Sequence, residues 1–291
     1  SLPDCCSVIA ATLSLYGYND VSTSNFDVTI QSGMPTYPHD AMVNTDYNRS
    51  NFSGDGGKIN TSGWSTAGYN DITLSAAGRG WINKTGDTKF ALRSSEDIAI
   101  SQPTAYEYVG IYCYEKGAGY RPKLTVTYAV APSVTTVAAD TIGATTANLK
   151  GTVTDDGGGT IDYYGFVWDD DSDEGDPGDV DPSTPAGTWE HGWKSNVGDW
   201  GENPFSHAVA GLPAGTTIYF RAAAHNTIGW DYGGAQSFLT KPAAPTNVAA
   251  TDGTHNDKVV VTWTKSTGAT GYQVYRDGAP LGWLGNVNTY D

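Results

Sequence analysis

The strongest constraint on this chain is an alternation of period two. Apolar residues recur at every second position in short runs: Ala11–Tyr16 (ATLSLY), Phe26–Ile30 (FDVTI), Lys89–Arg93 (KFALR), Tyr108–Tyr112 (YVGIY) and Lys123–Tyr128 (KLTVTY). Neighbouring side chains of a strand point to opposite faces, so this spacing makes one face apolar and leaves the other to water. The runs are bounded by Gly, Asn, Asp and Pro, the pattern of short strands joined by turns. One stretch, Ile72–Ile82 (ITLSAAGRGWI), reads as a short helix interrupted by glycines. Composition agrees: charged residues are only 16% of the chain, against 36 Gly and 18 Tyr. The expected fold class is all-β, built as tandem β-sandwiches.

A chain of 291 residues has room for two or three cores. Ala129–Pro132 (AVAP) and Lys241–Pro245 (KPAAP) read as linkers, which sets domains at 1–129, 130–241 and 242–291. The chain restarts alike after each: Ala131-Pro132 leads to Val137-Ala138, and Ala244-Pro245 leads to Val248-Ala249. In the second domain Ala147–Val153, Tyr163–Trp168, Phe205–Val209, Thr217–Ala223 and Gln236–Leu239 are strand candidates. In the third they are Val259–Trp263 and Tyr272–Arg276, followed by the hairpin signal Asp277-Gly278. The third segment is about half of a sandwich of ~100 residues. The expectation is that the chain continues or that another chain completes this sheet. With Ser at residue 1 and few residues ahead of the first strand, the amino end reads as processed or cut.

Charge and motifs narrow the function. A net charge of −16 leaves no basic excess to displace counterions from phosphates, which argues against nucleic acid. No apolar run is long enough to span a membrane. H-E-x-x-H, G-x-S-x-G and Gly-Lys-Ser/Thr sequences are absent, and the five histidines (His39, His191, His207, His225, His255) lack partners at metal-ligand spacing. No catalytic or cofactor-binding residues are assigned. Asn48, Asn51, Asn60 and Asn83 head N-x-S/T sequons, which matter only where secreted proteins are glycosylated. The three cysteines, Cys5, Cys6 and Cys113, follow no zinc or redox spacing. Cys113, within an apolar-aromatic run, reads most simply as a small buried residue. A bridge from Cys5 or Cys6 to Cys113, or a link between neighbouring chains, is the alternative, and the pairing stays open.

Two resemblances sharpen the fold. Leu212–Asn226 (LPAGTTIYFRAAAHN) resembles the E–F corner and F strand of fibronectin type III modules, with Leu212, Gly215, Ala224 and Asn226 on the family's pattern. Ile218 stands where that family usually has a corner tyrosine, and Tyr219 is offset by one. Trp263 and Gly271–Gly278 (GYQVYRDG) resemble the family's B-strand Trp and C strand. The resemblance implies spacer or adhesive modules rather than an activity. The first domain is similar to DNRLRE-type, jelly-roll-like sandwich modules of surface and virion-associated proteins, through ATLSLYG at 11–17, TKFALRSSED at 88–97 and YRPKLTVTY at 120–128. Some relatives of that family bind polysaccharides.

On that frame, residues 168–182 (WDDDSDEGDPGDVDP) become an insertion after strand C, with eight acids and no base. An EF-hand starting at Asp170 would put Gly175 at position 6 but Asp181 where the bidentate Glu belongs, and no helices flank it. Two readings stay open. One is a hydrated loop; the other is a looser calcium site drawing on Asp170, Asp171, Asp173, Asp176 and Asp181, since clustered carboxylates repel unless a cation or water separates them. Downstream, Trp189, Trp193 and Trp200 either contact a glycan or protein partner or cover the insertion and pack it onto the sandwich. The expected function is a non-catalytic structural or adhesive protein of a virion (fibre or capsid decoration) or extracellular filament. Its partners would be copies of itself or neighbouring surface proteins, through sheet edges. The alternative is a carbohydrate-binding accessory region of a larger secreted hydrolase. Either places it outside the cell, at a cell surface or on a virion.

Overall fold

The computed structural model describes residues 1–40, 42–103, 105–184 and 189–291. The chain forms two compact units, Ser1–Val130 and Ala131–Asp291. The described residues are nearly all β, in six separate sheets. No described helix is long and apolar enough to cross a membrane.

In the first unit the strands are β1 (Ser7–Asp20), β2 (Asp27–Gln31), β3 (Lys58–Asn60), β4 (Tyr69–Thr73), β5 (Ala91–Ser94), β6 (Val109–Ile111) and β7 (Lys123–Ala129). Two short helices are α1 (Ala76–Gly80), within the stretch expected to hold one, and α2 (Ser95–Ala99). β1 pairs with β4, β6 and β7, all antiparallel, and β2 lies between β3 and β5 in a second sheet. The alternation of β1 shows directly in its burial: Ala11, Leu13 and Leu15 face a core shared with Val28, Ile30 and Ile72. Thr29, Gln31, Asp46, Thr61 and Asn70 are the buried polar exceptions among the described residues of this unit.

The second unit begins with β8 (Ser133–Asp140), β9 (Thr146–Asp155), β10 (Tyr163–Asp169), β11 (His191–Asn196), β12 (Pro204–Ala210), β13 (Thr217–Asn226), β14 (Gly229–Tyr232) and β15 (Gln236–Leu239). One sheet runs β12-β9-β8; the facing sheet runs β11-β10-β13-β14, with β15 also on β13. This is the strand arrangement of a fibronectin-like sandwich. Leu149, Val153, Phe166, Ile218, Phe220 and Ala222 fill the space between the sheets, each at most 1% exposed. Ile218, the residue in place of the corner tyrosine, is part of this core. Thr240 closes the corner instead: its Oγ1 donates to the Pro213 carbonyl at 2.7 Å and accepts from the Thr216 N–H at 3.0 Å.

The unit ends with β16 (Thr246–Ala250), β17 (Val261–Thr264), β18 (Tyr272–Arg276), β19 (Ala279–Leu284) and β20 (Thr289–Tyr290). β17 lies between β16 and β20, and β18 pairs with β19. Asp277 and Gly278 take φ of 52° and 79°, the left-handed pair that a tight hairpin turn requires. Residues 242–291 meet the preceding sandwich backbone to backbone: a Cβ on Gly215 would lie 2.3 Å from the Thr267 carbonyl oxygen, so only glycine fits there.

Candidate functional site

Most described residues of the acidic insertion are exposed, as in a hydrated loop, but its carboxylates are not a ring of free charges. It lies flat across the outer face of the β11-β10-β13-β14 sheet as a third layer. Gly165 and Gly192 make room for it: a Cβ on Gly192 would sit 1.7 Å from the Pro182 carbonyl oxygen, and one on Gly165 would sit 2.7 Å from the Pro182 ring. Beneath the loop Val167, Trp189, Ala223 and Tyr232 form a small second core, with Trp189 3% exposed. Trp189 Nε1 donates to the Gly175 carbonyl at 3.0 Å, and the Tyr232 hydroxyl donates to the Val180 carbonyl at 2.8 Å. Burial pushes the Tyr232 phenol well above its ordinary range.

The carboxylates are largely held by the protein itself. Asp169, at 1% exposure, accepts from the N–H groups of Asp170 (2.7 Å), Asp171 (3.3 Å) and Glu190 (3.0 Å), closing the two ends of the loop on one side chain. Arg221 on β13 donates through Nε and one terminal nitrogen to Asp173, both at 3.1 Å, a bidentate clasp that holds this carboxyl below its usual range. Asp181 pairs with Lys194 on β11; burial works against its charge, but Lys194 and Ser183 hold it down. Asp176 accepts from Gly178 N–H, and Asp179 accepts from Trp230 N–H at 2.8 Å. Asp171 titrates higher than usual, because its protonated form can donate a hydrogen bond to the Asp169 carboxylate and because that carboxylate penalises a second negative charge beside it. Asp231, on the sheet edge, is raised by burial.

Among the described residues, Asp170 alone of the five expected to share a calcium ion lies in a group of carboxylates close enough for one cation, and its companions are Asp169 and Glu190. Asp155, Asp156 and Glu202 form another such group among the described residues. In the first group both oxygens of Asp169 already accept backbone N–H groups, leaving exposed Asp170 and Glu190 as the freer ligands. Calcium takes 6–8 oxygens, so this group fits such an ion poorly.

The tryptophans close a seam. Trp193, on β11, stacks on His207 of β12 with ring centroids 3.7 Å apart and planes within 10°. Trp168 stacks on His191, while Tyr164 lies between Trp200 and Phe205. These rings bridge the two sheets at their open edge and pack on the main core. Burial holds the His207 imidazole below its ordinary range. Of the three expected contact residues, Trp189 presents no face to a ligand, and Trp193 and Trp200 are half-buried.

The cysteines depart from expectation. Cys6, not Cys113, is the buried one; Cys5 and Cys113 are exposed, and all three are free thiols. Cys113 stands just ahead of a short turn at Tyr114–Lys116, outside the core.

Two surface features were not anticipated. On the first unit Tyr16, Tyr69, Tyr112 and Tyr120 cluster at 4.8–5.9 Å, three of the pairs edge to face and Tyr16–Tyr112 tilted, with Lys116 and Lys123 over their rings. The density of tyrosine between 106 and 120 was the available signal. On the same unit a cavity of about 630 Å³ is lined by Tyr47, Arg49, Phe52, Phe90 and Arg93. Arg93 is committed to Asp97 (2.6 Å) and Gln31 (2.8 Å), while the Tyr47 ring is 77% exposed at the rim.

No family model matches the chain, so the similarity of residues 1–129 to DNRLRE modules gains no support there. No curated protein matches either. Among solved structures, the sensor domain of the anti-sigma factor RsgI4 in Pseudobacteroides cellulosolvens is similar over 38% of this chain and 94% of its own, at 18% identity and a TM-score of 0.28. The FN1–FN3 domains of chicken CNTN1 are similar over 98% of this chain and 84% of theirs, at 11% identity and a TM-score of 0.30. A set of titin domains is similar over 80% of this chain and 67% of its own, at 13% identity and a TM-score of 0.27. At these values none of them bears on function.

The third-layer account makes a paired prediction, read by denaturation of the second unit. Trp189→Ala should cost about 3–5 kcal/mol, because it empties the core under the loop. Asp173→Asn should cost about 1 kcal/mol, since its clasp is partly exposed to solvent. The carboxyl of Asp173 is depressed when folded, so its contribution is present above the ordinary value of 3.8 and is lost as pH falls through the folded pKa. The acid limb of the stability profile should therefore flatten in Asp173→Asn. An unchanged limb, or a harmless Trp189→Ala, contradicts the account.

Proposed function

We propose that this chain is a non-catalytic structural protein whose sandwich modules act as spacers and contact units in a virion fibre, capsid decoration or extracellular filament. The observation that carries the reading is the second unit. There one strand plan, a three-strand sheet facing a hairpin-based sheet, occurs twice in succession, and the two copies touch through backbone at Gly215 and Gly268. Such a junction transmits force rather than flexing at a loose linker. The acidic insertion and the tryptophan seam support the same reading, because their polar and aromatic groups are spent on stiffening the module. β-sandwich modules of this plan are hosts for many functions, so the reading stands on the arrangement of surfaces rather than on the fold. Immunogold labelling with an antibody to residues 170–181 tests it. Label on virions or surface filaments is the expected result, and label confined to the soluble fraction contradicts it.

A carbohydrate-binding region is the second reading, and one observation favours it: the first-unit cavity with the exposed Tyr47 ring beside Arg49. An aromatic ring stacks on the CH face of a sugar while neighbouring polar groups bond its hydroxyls. The site would thus lie away from Trp189, Trp193 and Trp200. On a glycan array, saturable binding lost in Tyr47→Ala but kept in Trp193→Ala would establish this reading; a blank array removes it.

A further inference from the structure

Two cavities of the first unit adjoin. The cavity of about 630 Å³ beside Tyr47, Phe52 and Phe90 shares Arg49 and Asp97 with a second, of about 390 Å³, which Glu96 and Glu107 also line. Each lies within the roughly 300–1,000 Å³ of a ligand pocket. Most of the charged groups along them are already spent. Asp97 is clasped by Arg93 at 2.6 Å, Asp46 by His39 and the Val43 N–H, and Glu107 by Thr23 and Ser24. Two are left. The Arg49 guanidinium and the Glu96 carboxylate bond no other group among the described residues, and although both line the smaller cavity they form no ion pair. Neither is loosely held. Arg93 Nη1 donates to the Arg49 carbonyl at 3.2 Å, and the Asn48 side chain fixes the turn by accepting from the Ser50 N–H at 3.1 Å. Glu96 stands in the first turn of α2, which Ser94 caps by accepting from the Asp97 N–H at 3.1 Å. A free donor and a free acceptor are thus held apart, on fixed backbone, in one cavity.

We infer that the two cavities are one groove for a neutral oligosaccharide that crosses the Asp97 junction, stacked on Tyr47 at one end and bonded by Arg49 and Glu96 at the other. The inference rests on the carbohydrate reading above and deepens it, adding the charge of the ligand and the path it takes. A hydroxyl group both donates and accepts, so one sugar satisfies Arg49 and Glu96 together. A carboxylate would serve Arg49 alone, and an ammonium group Glu96 alone. Charge points the same way. Asp46, Glu96, Asp97 and Glu107 outnumber Arg49 and Arg93 along the groove, and the whole chain carries −16, so uronate and sulfate polymers are repelled. Tyr47 lines only the larger cavity and Glu96 only the smaller. A single sugar therefore leaves one of them unused, and the full set of contacts requires a chain of sugars.

Titration calorimetry of the whole 291-residue chain tests this. The neutral probes are cellotetraose, xylotetraose, mannotetraose and maltotetraose with their disaccharides, and tetragalacturonate is the anionic one. At least one neutral tetrasaccharide should bind, and about tenfold or more tighter than its disaccharide and than tetragalacturonate. Glu96→Ala and Arg49→Met should each weaken that tetrasaccharide about tenfold, the loss of a hydrogen bond to a charged group. An unchanged melting profile of each variant separates loss of contact from loss of fold. Equal affinity for tetrasaccharide and disaccharide overturns the inference. So does a preference for tetragalacturonate, indifference to both substitutions, or no binding of any probe. The reading beneath it is judged separately: glycan-array binding lost in Tyr47→Ala keeps that reading when the length and charge tests fail, and a blank array removes both.

Discussion

A sheet with one apolar face is stable only when something covers that face, and this requirement organises the second unit. β13 satisfies it for the first sandwich, with Ile218, Phe220, Ala222 and Ala224 laid over Leu149 and Phe166. The same strand lends its other side to a second layer, where Ala223 and Arg221 receive the acidic insertion. One strand thus holds a core on each face. Residues 242–291 hold a smaller cluster of the same kind, where Trp263 and Tyr272 are both buried with ring centroids 5.3 Å apart.

Electrostatics follows from the same layering. Half of the net charge of −16 is concentrated in fifteen residues, yet the loop does not fly apart. Arg221 and Lys194 reach it from the sheet below, and Asp169 gathers three backbone N–H groups from its two ends. Repulsion between carboxylates is offset by bases from neighbouring strands, the role that the sequence alone suggested for a bound cation. Trp189 adds the apolar anchor. The loop therefore stiffens the module, and its exposed acids leave the surface strongly negative, which favours solubility over non-specific adhesion.

Much of this was legible in the sequence, for reasons visible residue by residue. Ala147–Val153, Thr217–Ala223 and Tyr272–Arg276 lie in strands because alternation with β-branched and aromatic residues has one physical reading. β11 (HGWKSN) was missed: it lies at the sheet edge with no fully buried residue, so no alternation is imposed on it. The ion pairs of the acidic loop were not legible in the sequence, because Arg221 and Lys194 lie 48 and 13 residues away from the carboxylates they bind. Cys113 was placed inside because its neighbours are apolar, but β6 ends at Ile111 and the chain turns outward. Local pattern reports the strand; only the assembled sheet reports which loop it will carry.

The central claim is that the acidic insertion is held as a third layer on the β10–β13 sheet. Hydrogen–deuterium exchange at the amides of Asp170, Asp171 and Glu190, all bound by the Asp169 carboxylate, reads that layer directly. If the account holds, these amides are protected in the native chain and lose protection in Trp189→Ala, while those of β9 keep theirs. If they exchange in the native chain as fast as an open loop, the account is wrong.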